Sequence, residues 1–291
     1  METPVEISSD GLKLSGVLHV PDDRPKDKRL PAFLILHGFG GSKDNSHAEI
    51  QAKMFCDWGY AALRFDFRGC GESEGECGRI LCFDQVADTK NAFTFLAGRD
   101  EIDPDRIGVL GHSFGAAVAV YTTGIDERIA VCISSCGWGD GARKFRGQHP
   151  GEEAWTKFTN MLEEGRRHRE ETGKSLMVSR WDIVPIPEHL RKNLSPNALL
   201  EFPAETAQSM YDFRADDVVA NIAPRPLLLI HASRDTVTPT EQSIELFNRA
   251  GKASTDMVLL TNVDHFPFSG ENQRTLDAAQ GWLKMHFPLE V

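Results

Sequence analysis

The chain has 291 residues, 41% of them apolar and 26% charged, and carries a formal net charge of −11. That length suits one large α/β domain with an extensive core, and the composition is that of a soluble globular protein. The acidic balance argues against nucleic acid, whose phosphates need basic patches, and against anionic membrane surfaces. No apolar run approaches the roughly 18–20 residues that span a bilayer. Met1–Glu6 lacks the basic and apolar regions of a signal peptide, so a cytoplasmic location is expected. The six cysteines (Cys56, Cys70, Cys77, Cys82, Cys132, Cys136) form no C-x-x-C pair and no zinc spacing. Reduced, mostly structural thiols are expected, with a disulfide left open.

In chain order, Val5–Ile7 and Leu12–Val20 read as an opening hairpin turned at Ser8–Gly11. Ala32–Leu36 is a continuous apolar run, as in a strand covered on both faces. A helix over 47–58 ends at Gly59, and Tyr60–Phe67 is the next strand. Residues 83–97 carry helical spacing through Phe83, Val86, Ala87, Phe93 and Leu96. Arg106–Leu110 is a strand, 114–123 a helix and Ile129–Ser134 another strand. Leu227–His231 and Met257–Leu260 are two more, with helices at 240–250 and 272–286. Strands alternating with helices imply a mainly parallel, twisted α/β sheet with helices on both faces.

Residues 137–210 break that rhythm. They show no buried-strand run, a charged helical stretch at Glu152–Lys174, and prolines at 185, 187 and 196 that read as helix boundaries. The expected organisation is a core of 1–136 and 211–291 with a helical cap inserted at 137–210. The cap holds eleven basic and eleven acidic residues, so the net charge lies in the body.

Gly111-His112-Ser113-Phe114-Gly115 stands between an apolar strand and a helix-forming run. This is the strand–turn–helix setting of a G-x-S-x-G nucleophile elbow. The turn is so tight that only residues without Cβ fit two positions either side of the serine. A serine hydroxyl needs a base, and the base an orienting carboxylate. In this sheet type the partners follow in the order serine, acid, histidine. Asp235, just after strand Leu227–Ile230, fits the acid, and His265, in the loop after Met257–Leu260, fits the base. Asp264 is the rival carboxylate, but adjacent residues rarely face each other well enough to pair. The other nine histidines do not fall where the base is needed. His37-Gly38-Phe39-Gly40-Gly41 follows strand Ala32–Leu36, and its Phe39 N–H, with that of Phe114, is expected to receive an oxyanion. The charged turn 64–75 is read as structural, with Asp66 and Arg68 bonding neighbouring loops.

The motifs HGFGG, RFDFRGCGESEG, GHSFG, HASRDTVTP and VDHF, spread over residues 37 to 265, resemble the α/β-hydrolase superfamily. The chain is most similar to small serine esterases of the cinnamoyl/feruloyl-esterase and acylaminoacyl-peptidase-like groups. The cap matches no pattern of theirs, and Ala116 stands where many relatives carry a glycine. The resemblance implies the α/β-hydrolase fold, Ser113 as nucleophile, His265 as base, Asp235 as orienting acid, and Phe39 and Phe114 as oxyanion donors. Two-step acyl transfer would follow, with no metal or organic cofactor needed.

The expected reaction is hydrolysis of a small or medium carboxylic ester through an acyl-Ser113 intermediate, and a homodimer is compatible with it. The same triad serves an amidase or exopeptidase, a thioesterase and a C–C bond hydrolase. A non-catalytic receptor is the contrasting class. The aromatic residues Trp138, Phe145, Trp155, Phe158, Trp181 and Phe202 cluster in or beside the cap. They are expected to build its core, with Trp138, Phe145, Trp155 and Trp181 the candidates to line a substrate pocket. The run Arg143–Arg146 reads as a solvated charged face, with contact to an acidic substrate group as the alternative.

Overall fold

The computed structural model describes residues 1–23, 28–194, 198–269 and 272–290. The chain opens with β1 (Glu2–Ser9) and β2 (Leu12–His19), followed by β3 (Leu30–Leu36), α1 (Ser46–Asp57), β4 (Ala61–Phe65), α2 (Cys82–Ala97), β5 (Ile102–His112), α3 (Phe114–Ile125) and β6 (Val131–Ser135). Next come α4 (Gly141–Gln148), α5 (Gly151–Thr172), β7 (Met177–Ser179), α6 (Arg180–Ile183), β8 (Glu201–Pro203) and α7 (Ala204–Asp212). The chain closes with β9 (Leu227–Ala232), α8 (Glu241–Arg249), β10 (Thr255–Leu260) and α9 (Gln273–His286).

Eight strands form one sheet in the order β1-β2-β4-β3-β5-β6-β9-β10. β1 and β2 pair antiparallel and β2 lies antiparallel to β4, while every other pairing is parallel. This is the α/β-hydrolase fold expected from the sequence. The apolar runs are continuous because each strand is covered on both faces. Along β3, Ala32, Leu34 and Leu36 join the core against α2 and α3, while Phe33 and Ile35 join the core against α1 and α9. Leu227 and Leu229 of β9 divide from Leu228 and Ile230 in the same way, the two-residue period of a strand.

β3 has β4 on one side and β5 on the other. The chain leaving β3 turns to α1 on one face, and the chain leaving β5 turns to α3 on the other. Such a switch point opens a crevice at the carboxyl ends of the two strands. The loop at His37–Gly41 and residue Ser113 both lie there.

The structure differs from the sequence reading in three places. β1 runs over Glu2–Ser9 rather than Val5–Ile7, and its whole length pairs with β2, which leaves only Asp10 and Gly11 for the turn. β5 begins at Ile102 rather than Arg106 because Ile102 pairs with Leu30 before a register shift, and the ladder resumes at Ala32 with Ile107. The segment out of register carries Pro31 and Pro104, neither able to donate to a ladder. The segment between β6 and β9 also contains strands: β7 and β8 pair antiparallel over three residues, too short for a hydrophobic period to register. Pro187 caps a short 3-10 turn at Glu188–Asn193, and Pro185 lies just after α6. Pro196 lies outside the described residues.

The aromatic residues of this segment pack on one another. Phe145 stacks on Phe158 at 4.7 Å between centroids, and Trp155 and His149 flank Phe158 at 5.8 and 4.5 Å. Trp138 meets Phe213 edge-on at 5.6 Å. Lys144 is enclosed with them: its Nζ lies 3.8 Å from the Phe145 ring centroid, and the amine has no hydrogen-bond partner among the described residues. Burial pushes its ammonium down to about 7. The folded state therefore binds fewer protons than the unfolded state between about pH 7 and the ordinary lysine value, so this residue's contribution to stability rises with pH across that window. Lys144→Met, similar in length and without charge, is expected to raise stability at pH 7 by on the order of 3–4 kcal/mol. The gain should shrink toward pH 10, which urea unfolding at several pH values would measure. An equal effect at both ends would contradict a buried, titrating amine.

Candidate active site

Ser113 is the residue between β5 and α3. Its φ of 55° and ψ of −113° place a non-glycine residue in a strained region. The strain is locked from both sides. Its N–H donates to Ser135 O at 2.8 Å, and its carbonyl accepts from Ala116 N and Ala117 N at 3.1 and 3.3 Å. A Cβ at Gly111 would lie 2.1 Å from Gly115 O, and one at Gly115 only 2.4 Å from Leu36 O. The glycines are thus required by close backbone approach across the turn and against β3.

The half-buried Ser113 hydroxyl faces His265, with 2.9 Å between Oγ and Nε2. On the other side of the ring, Nδ1 lies 2.8 Å from Asp235 Oδ2 and 3.0 Å from Oδ1. A carboxylate can only accept there, so Nδ1 carries the proton and Nε2 is left to accept from the serine hydroxyl. Asp235 Oδ1 also accepts from Val237 N and Thr238 N at 2.8 and 2.7 Å. His231 Nε2 stands 3.3 Å from Oδ2. Burial opposes the charge on Asp235, yet the charges of His265 and His231 and the hydrogen bonds to their rings hold its carboxyl well below the ordinary carboxylate range. The buried Cys136 thiol lies against Asp235 and His265, and burial together with the Asp235 charge pushes it well above its ordinary value.

Asp264 has a different place. It accepts from Thr236 N at 2.9 Å, from the Thr236 hydroxyl and from His265 N at 2.8 Å, so it pins the backbone turn and leaves the imidazole to Asp235.

The loop after β3 is held in the same manner. Gly38 O accepts from Gly41 N at 3.0 Å and lies 2.9 Å from His37 Nδ1. With that carbonyl engaged, the trans peptide directs the Phe39 N–H the opposite way. Phe114 N–H opens α3 and has no partner four residues back. Asp66 accepts from Lys43 N and Glu72 N, and Arg68 donates to Asp88 at 2.6–2.8 Å, so the 64–75 turn braces neighbouring loops as expected.

The cavity above Ser113 is lined by the 37–41 loop and by His265 and Phe266 from the body. From the segment between β6 and β9 it receives Arg180, Val184, Ile186 and Leu194. His47 and His112 also border it. Burial, with His265 as a secondary cause, pushes both below the usual histidine range, His47 to about 4, so both are neutral polar walls near pH 7. The reading of the sequence passed over these two. His112 lies inside the GHSFG motif and His47 six residues beyond HGFGG, so adjacency to motifs was the available signal.

Trp138, Phe145, Trp155 and Trp181 do not border this cavity. The first three belong to the segment's own aromatic packing. Trp181 lies under the Arg191 guanidinium at 4.1 Å and faces a separate hollow with His149 and Phe158. Their sheer apolar area is better satisfied against one another than across a cavity. The Arg143–Arg146 run is likewise engaged elsewhere: Arg143 pairs with Asp216 at 2.9 Å, Lys144 is enclosed, and Arg146 pairs with Glu152 at 2.7 Å. All six cysteines are free thiols.

An imidazole that accepts from a serine hydroxyl and donates to a buried carboxylate can take the serine proton as its oxygen attacks a carbonyl carbon. Comparison with known proteins gives the family and the fold. Residues 28–272 match the family model described as serine aminopeptidase, S33. An uncharacterised 31.7 kDa protein of Escherichia coli is 25% identical over 96% of this chain and 97% of its own length. The acyltransferase drtE of Aspergillus calidoustus is 30% identical over 76% of this chain and 75% of its own. The solved structure of Est1E from Butyrivibrio proteoclasticus with ferulic acid bound superposes with a TM-score of 0.70 at 17% identity, covering 97% of this chain and 98% of that one. The chain belongs to the serine aminopeptidase S33 family of α/β hydrolases.

Proposed function

We propose that the protein hydrolyses a carboxylic ester of a small or medium substrate by two-step acyl transfer through Ser113. The observation that carries this reading is the unbroken relay from Ser113 Oγ through His265 to Asp235, with contacts of 2.9 and 2.8 Å. His265 takes the serine proton, the oxyanion rests on the Phe39 and Phe114 amides, and His265 then protonates the leaving group. Water repeats the sequence on the acyl-enzyme. Residues 137–210 act as a cap, supplying the apolar wall at Val184, Ile186 and Leu194. The free thiols suit the reducing cytoplasm in which we place the protein.

The family description names an aminopeptidase and one relative is named an acyltransferase. Both chemistries share the acyl-enzyme and differ in the leaving group or in the acceptor. Initial rates on p-nitrophenyl esters and the matching p-nitroanilides, with Ser113→Ala as the blank, separate ester from amide hydrolysis, and added alcohol or amine acceptors in the same assay reveal acyl transfer. Serine-dependent ester turnover with negligible anilide turnover is expected. Comparable anilide turnover would replace the reading with amide hydrolysis. Ester turnover that survives in Ser113→Ala would remove the relay from the account.

A further inference from the structure

Arg180 sits at the start of α6 and its side chain borders the cavity above Ser113. It is 2% exposed. A guanidinium has five N–H donors and cannot be relieved of its charge as readily as lysine. Two are used, both on backbone carbonyls: Nη2 donates to Phe39 O at 2.6 Å and Nη1 to Leu199 O at 3.1 Å. The buried Nε has no partner among the described residues. Among the described residues no carboxylate lies within ion-pair distance of Arg180; of the other arginines in residues 137–210, Arg143, Arg146, Arg166, Arg167 and Arg169 each have one, and only Arg191, which is exposed and lies over the Trp181 ring, does not. Burial pushes the guanidinium down to about 10, which leaves it cationic near pH 7. The rings of Phe39 and Phe202 flank it at 5.1 and 5.7 Å and fix its position. A buried charge is retained when something pairs with it, and here the adjoining open space is the reaction cavity.

We propose that the substrate is an anionic ester and that Arg180 binds its carboxylate. The inference rests on the ester-hydrolase reading and narrows its substrate class. A planar guanidinium with unused donors matches a carboxylate in geometry as well as charge. The net charge of −11 would repel anions from the molecule as a whole, so a preference for an anionic ester must have a local cause.

The test compares kcat/KM for p-nitrophenyl hexanoate with that for the mono-p-nitrophenyl ester of adipic acid, which carries a carboxylate at the far end of the same six-carbon acyl chain. Phenyl hexanoate and 4-carboxyphenyl hexanoate place the charge on the alcohol side instead. The wild-type protein is expected to prefer the anionic member of one pair by at least tenfold, mainly through KM. In Arg180→Gln that ratio should fall to one or below, and Arg180→Lys should keep part of it. The ratio is the readout because loss of the Phe39 contact would slow both members alike. A wild-type ratio near one in both pairs, or a preference that survives Arg180→Gln, would overturn the proposal. Calorimetric binding of monomethyl adipate to the Ser113→Ala protein needs no turnover. Binding there that disappears in Ser113→Ala/Arg180→Gln supports the proposal with the carboxylate on the acyl side; 4-carboxyphenyl hexanoate serves in the same way for the alcohol side, and no binding of either overturns it. Serine-dependent turnover of the neutral esters with no anionic preference would leave the hydrolase reading standing and remove only this one.

Discussion

Ser113→Ala is expected to lower kcat on the best ester by about 10⁴–10⁶-fold while leaving the fold intact. Among the described residues the hydroxyl removed hydrogen-bonds only with His265 Nε2, and the backbone bonds that lock the elbow belong to its N–H and carbonyl. Alanine keeps both, so the melting temperature should change little. If anything it should rise, because strain at functional positions is often held against stability. Residual turnover would come from oxyanion stabilisation and binding alone. Steady-state rates and a thermal melt on the same preparation decide the matter. A loss below tenfold with the fold intact would show that the serine is not the nucleophile.

The second large effect separates two neighbouring carboxylates. Asp235→Asn is expected to cost about 10⁴-fold in kcat. The asparagine carbonyl would keep the bonds from Val237 N and Thr238 N, which can only donate. Its amide nitrogen would then face His265 Nδ1. That contact favours the tautomer with the proton on Nε2, which cannot accept from Ser113. Asp264→Asn keeps an acceptor for Thr236 and for His265 N, and should stay within about tenfold of wild type. Parallel kinetics of the two variants test the assignment, and the reverse order would mean that Asp264 orients the imidazole.

The parts of this molecule that were legible in the sequence are those where geometry restricts residue type over a short span. Gly111 and Gly115 were readable because the backbones they approach leave no space for a Cβ. β3 and β9 were readable because coverage on both faces makes an apolar run unbroken. Asp235 and His265 were placed by the strands ahead of them. The wall of the cavity was not legible. Trp138 and Trp155 announce themselves by size, but size marks residues that pack on one another. Arg180 borders the cavity from a helix of only four residues, beside a pair of three-residue strands. No period forms over so few positions, and an isolated arginine in a charged segment resembles any solvated cation until its contacts are seen.

The central claim is that a substrate's acyl group passes through Ser113. Acid quenching within milliseconds of mixing the protein with a p-nitrophenyl ester, followed by mass spectrometry of its peptides, tests it most directly. The account predicts an added acyl mass on the peptide carrying Ser113, formed with a burst of nitrophenol and absent from Ser113→Ala. Turnover without any acyl adduct, or an adduct confined to another residue, would contradict it.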